Sequence, residues 1–114
     1  MEPAIDLEEF SYLKEDMGSS LPSFLELFLQ RLPTYLSSCH TYHKEKKWPE
    51  LNREAHSLKG SSRYIGAMIL GLYCQELEQL AGDEVVDEQQ IAQTLIKLDA
   101  EARRVVQALE PLKD

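Results

Sequence analysis

A histidine, a lysine and a glycine share one short stretch near the middle of the chain, Ala55-His56-Ser57-Leu58-Lys59-Gly60-Ser61-Ser62. Lys59 and Gly60 follow His56 by three and four residues, the spacing of neighbours on one helical face. A neutral imidazole near pH 7 carries one free nitrogen lone pair and is a competent nucleophile. Phosphoryl groups suit such a nucleophile, because their transfer depends on positioning and charge neutralisation. Lys59, one turn on, is placed to neutralise phosphoryl oxygens. Gly60 costs a helix interior about 1 kcal/mol relative to alanine. In return it keeps the surface beside His56 clear for the close approach of a second protein. These residue types suit a histidine that takes a phosphoryl group from one protein and passes it to another.

The helix that must hold this stretch opens at Trp48-Pro49, with proline near its first turn. Leu51, Ala55, Leu58 and Ser62 form its inward stripe. On a helical wheel His56 lies about 140° from Leu51 and about 160° from Leu58, so it points away from the core. Asn52 and Gly60 lie about 40° from His56, Lys59 about 60° and Arg63 about 20°. The expectation is one exposed strip of Asn52, His56, Lys59, Gly60 and Arg63.

Four further helices support it. Asp6 and Glu9 resemble a capping box ahead of a short helix carrying Phe10, Leu13 and Met17, which Gly18 stops. A second helix starts after Ser19-Ser20 with Leu21, Leu25, Phe28, Leu32, Tyr35 and Cys39 inward, widened by Phe24, Leu29 and Leu36. Pro33 is expected to bend it without breaking it, since the apolar period continues on both sides. His43 to Lys47 ends this helix. After a turn at Arg63-Tyr64-Ile65-Gly66, a fourth helix spans Ala67 to Ala81, with Leu70, Tyr73, Leu77 and Leu80 inward and Gly82 closing it. Asp83 to Asp87 is an acidic loop. Asp87 and Gln90 cap a fifth helix whose Ile91, Leu95, Leu98, Ala102, Val105 and Leu109 alternate by four and three, the pattern of a bundle seam. Pro111 ends it. The fold class is all-α: an antiparallel four-helix bundle with a short additional N-terminal helix, one domain over residues 1–114.

Composition narrows the function classes. The net charge of −8 argues against nucleic acid as a partner. Residues 40–63 run the other way, with six Lys/Arg against three Glu. This local excess suits an anionic ligand or an acidic protein surface, and Lys44, Lys46, Lys47 and Arg53 are either a docking rim or a solubilising connection. No apolar run is long enough to span a membrane, and the acidic N-terminus has no signal-like apolar region. A cytoplasmic monomer is expected, with Cys39 and Cys74 as reduced buried thiols in preference to a disulfide. His40 and His43 beside Cys39 raise a metal reading. Cys39 belongs to the apolar stripe and no second ligand cluster follows, so solvated histidines at a helix end are expected, with no metal. No nucleotide-binding Gly-Lys loop is present, and no Ser-His-Asp or Cys-His spacing points to hydrolysis.

Ala55 to Ser62, followed by Ile65-Gly66-Ala67 and Cys74-Gln75-Glu76-Leu77-Glu78, resembles the histidine-containing phosphotransfer (HPt) domain of bacterial multistep phosphorelays. The resemblance covers the motif, the helix order and the length. It implies a four-helix bundle that shuttles phosphate between receiver domains and has no kinase activity of its own. It makes His56 the phosphoacceptor through Nε2, Lys59 the phosphoryl-stabilising residue and Gly60 the access residue. Asn52, Arg53 and Arg63 would meet the receiver. The partners implied are the receiver domain of a hybrid sensor kinase and that of a response regulator. No cofactor is implied for this chain, the Mg²⁺ being supplied by the receiver. The family also places a polar side chain 22 residues after the histidine, on its other nitrogen; here that is Glu78. Glu78 would fix the tautomer and orient His56, or else is a solvated helix glutamate. Glutamate there is found in chemotaxis-kinase phosphoacceptor domains, which leaves that type as an alternative beside a non-phosphorylated helical adaptor. The initial methionine and the lack of a linker favour a free-standing module over a kinase fragment.

Overall fold

The computed structural model describes residues 2–113. Its helices are α1 (Leu7–Met17), α2 (Leu21–Lys44), α3 (Trp48–Tyr64), α4 (Met68–Gly82) and α5 (Glu88–Leu109), with short 3₁₀ turns at Gly18–Ser20 and Glu110–Leu112. α2 to α5 form the four-helix bundle. α2 and α4 each pack against both α3 and α5, and α1 lies against α2.

The α3 stripe Leu51, Ala55, Leu58 and Ser62 is buried without exception, and so is the α5 series from Ile91 to Leu109. α2 runs unbroken through Pro33 and buries Leu21, Leu25, Phe28, Leu32 and Cys39, with Tyr35 only partly covered. α4 differs from its expected phase. Gly71, Cys74 and Ala81 are buried with Leu70 and Leu77, while Tyr73 and Leu80 are partly buried. α4 is apolar around most of its circumference, so periodicity alone does not fix its inner face. The small residues occupy the tight seams, and the larger side chains are displaced outward.

Two turns set the position of α3. Its N-terminal approach is made by Lys46, which takes a positive φ of 57° so that Lys47 N–H can reach Tyr42 O at 2.8 Å. This is a Schellman closure with lysine where glycine is usual. At the other end Gly66 adopts φ 84° and Ala67 N–H bonds Ser62 O at 2.8 Å. The capping box expected at α1 is only half formed. Asp6 Oδ1 accepts from Glu8 N and Glu9 N at 3.0 and 3.1 Å, but Asp6 N–H donates to Gly66 O at 2.8 Å in place of Glu9. The start of α1 is thereby fastened to the α3–α4 turn. A Cβ on Gly66 would come within 2.9 Å of Asp6 O, so this contact needs glycine for room as well as for φ.

Candidate functional site

The site is built across the α3–α4 seam. His56 projects from α3 with its side chain 65 % exposed, and Glu78 projects from α4 with 20 % exposed. His56 Nδ1 stands 2.7 Å from Glu78 Oε2. Lys59 Nζ donates to the other carboxylate oxygen, Oε1, at 2.6 Å. One carboxylate therefore holds both the histidine and the lysine. An ionised carboxylate can only accept, so Nδ1 is the donor in this contact, and a neutral imidazole so held has its lone pair on Nε2. Glu78 is held below the ordinary carboxylate range, first by the hydrogen bond from Lys59, then by that from His56, against the opposing effect of partial burial. The solvated-glutamate reading of this residue is thus excluded by its contacts.

The strip expected on α3 is divided by this arrangement. His56, Gly60 and Arg63 are exposed, but Asn52 and Lys59 are half-buried. The Lys59 side chain is only 18 % exposed, because the Glu78 carboxylate draws it onto α4. Asn52 Nδ2 donates to the backbone carbonyl of Glu78 at 2.7 Å. Arg63 leans over Gly71, where a Cβ would lie 3.0 Å from its Cγ, and donates to Gln75 Oε1. Sequence reasoning missed Gln75, Gly71 and Gly82 as supports. The signal lay in glycines and amides on the face of α4 that the shifted phase turns toward α3. Gly60 has open space around its missing Cβ: beyond its chain neighbours and the backbone of its own helix, nothing lies within 4 Å. Arg53 is exposed and, among the described residues, makes a long ion pair with Glu50 at 3.9 Å.

Neighbouring features take other roles. Tyr64 packs edge-on against Phe24, ring centroids 5.5 Å apart. His40 bonds Asp99 at 2.7 Å and His43 points to Glu88 O at 3.4 Å, so the two histidines and the buried Cys39 do not converge. Burial pushes the thiols of Cys39 and Cys74 up to about 12, which leaves both unreactive. Among the described residues no group of three or more His, Cys, Asp or Glu is placed to hold a metal ion. No helix among them is long and apolar enough to cross a membrane.

The structure thus presents, on a four-helix bundle, an exposed histidine whose Nδ1 is held by a carboxylate on the next helix. The Hpt domain family model matches residues 23–110, and the chain belongs to that family. Among solved structures it is similar to histidine-containing phosphotransfer protein B (HptB) from Pseudomonas aeruginosa PAO1, at a TM-score of 0.92 and 26 % identity, covering 99 % of this chain and 96 % of that one. No match was found among curated protein sequences.

Proposed function

We propose that His56 is the phosphoacceptor of a phosphorelay, taking a phosphoryl group from a receiver-domain aspartate of a hybrid sensor kinase and passing it to the receiver of a response regulator. The observation that carries this reading is the 2.7 Å contact between His56 Nδ1 and Glu78, which leaves Nε2 free on an exposed side chain. In the forward step the Nε2 lone pair attacks phosphorus, an N–P bond forms, and the acyl-phosphate P–O bond breaks to return the aspartate carboxylate. In the second step a receiver carboxylate oxygen attacks the same phosphorus, and the bond electrons return to Nε2. The imidazole keeps its Nδ1 proton throughout, and the Glu78 carboxylate balances the positive charge that develops on the ring.

Lys59 contributes charge one helical turn from His56; its Nζ would turn from Glu78 to the phosphoryl oxygens when these arrive. Gly60 gives the partner room, and exposed Arg53 and Arg63 offer cations to an acidic receiver surface. The chain acts as a carrier without ATP-dependent kinase activity, as a cytoplasmic monomer. The Mg²⁺ that would neutralise the transferring group would be held by the receiver, not by this chain. A second reading is favoured by one observation, the carboxylate at Glu78: phosphate arriving directly from a kinase ATP site, as in chemotaxis-type domains. Label transfer from a phosphorylated receiver, compared with transfer from an ATP-loaded kinase, tests the two.

A further inference from the structure

We propose that Asn52 is a positioning residue for His56, acting through Glu78, and that Gly82 is the notch that admits it. Asn52 lies one turn before His56 on α3, and Gly82 lies one turn after Glu78 on α4. The Asn52 amide donates to Glu78 O at 2.7 Å. A helix carbonyl already accepts from the residue four positions on, here Gly82, and its second lone pair remains free for a side chain. A Cβ on Gly82 would stand 3.2 Å from Asn52 Nδ2, closer than an ordinary contact. Gly82 has no positive φ and Asp83 caps the helix, so the glycine is not there to close α4 as the sequence suggested. A side chain there would crowd the Asn52 amide and press it off the Glu78 carbonyl.

The arrangement answers a mechanical problem. Glu78 reaches both His56 and Lys59 through a side chain with three rotatable bonds, and His56 is itself largely exposed. Contacts between mobile side chains fix a geometry poorly unless a backbone anchor sets their origin. The bond from Asn52 to the Glu78 carbonyl ties the backbone of α4 to α3 at this one residue. The carboxylate then starts from a fixed point beneath the imidazole. Asn52 thus lies beneath the site, half-buried, with its amide on the Glu78 carbonyl.

The proposal deepens the phosphoacceptor reading, but its principal readout is independent of it. Ring ¹⁵N spectra of the whole protein report the His56 tautomer without any partner. In the native protein the Nδ1–H form should dominate. Asn52→Ala and Gly82→Ala should each move the population toward the Nε2–H form by about fivefold, the equivalent of one neutral hydrogen bond. In a Glu78→Ala background Asn52→Ala should move it no further. An unchanged tautomer in both single variants, with only a lower melting temperature, would overturn the proposal and leave Asn52 a bundle contact. Gly82→Ala keeps the test open if Asn52→Ala folds poorly. Receiver-dependent label transfer, run in parallel, should fall with the tautomer shift. A native protein with the expected tautomer but no transfer would count against the phosphoacceptor reading and leave the positioning role standing.

Discussion

Glu78 holds His56 and Lys59 with separate oxygens of one carboxylate, at 2.7 and 2.6 Å. The two residues that the sequence marks for chemistry are thus coupled through a third on the next helix. This coupling makes the protonation state of Glu78 a property of the fold as well as of the site.

The first consequence concerns pH. Glu78 sits below its ordinary value of 4.5 in the folded protein. A depressed carboxylate stabilises the fold above its unfolded value, and the contribution is lost as pH falls through the folded one. Glu78→Gln should therefore cost about 1 kcal/mol near neutral pH, on the scale of a charged hydrogen bond partly replaced by a neutral one. The gap between native and variant should close progressively below pH 4.5. Urea unfolding across pH 3–7, a range of about four units chosen to bracket the carboxylate values, measures it. A gap that stays constant across the range contradicts the linkage.

In the proposed relay Lys59 has two tasks to separate, pairing with Glu78 at rest and stabilising phosphoryl oxygens during transfer. Lys59→Ala should leave the bundle folded and slow transfer by about tenfold, the rate equivalent of one charged contact. The same substitution in a Glu78→Gln background should still slow transfer, because the phosphoryl contact remains to be lost. Loss of the lysine effect in that background would show that Lys59 acts only through Glu78.

Gly60 has open space where a side chain would stand. Gly60→Ala should stabilise α3 by about 1 kcal/mol, the helix-interior difference between the two residues. Gly60→Leu should keep the melting temperature and slow transfer by obstructing the partner. A Leu variant that transfers at the native rate would remove the access role.

Much of this was legible in the residue pattern. The α3 and α5 stripes alternate cleanly between apolar and polar faces, so their buried apolar residues and the outward direction of His56 follow from helical period alone. α4 offered no such contrast, and its inner face is decided by fit, with Gly71, Cys74 and Ala81 inside. The same fit pulls Asn52 and Lys59 inward from a strip that a wheel diagram leaves fully exposed. A wheel treats one helix at a time, whereas the Glu78 carboxylate and the Gly82 notch belong to its neighbour. Thr94 and Glu101 are buried on α5 through side-chain partners, Glu76 and Arg104, that no apolar period signals.

If His56 Nε2 carries the phosphoryl group, the native chain must take it from a phosphorylated receiver. The direct test mixes the protein with a ³²P-labelled receiver domain and follows label on this chain. Label should pass to the native chain within the mixing experiment, should be acid-labile and alkali-stable as a phosphoimidazole is, and should be absent from His56→Ala although that variant still folds. Label retained by His56→Ala, or tight receiver binding with no transfer to the native protein, would contradict it.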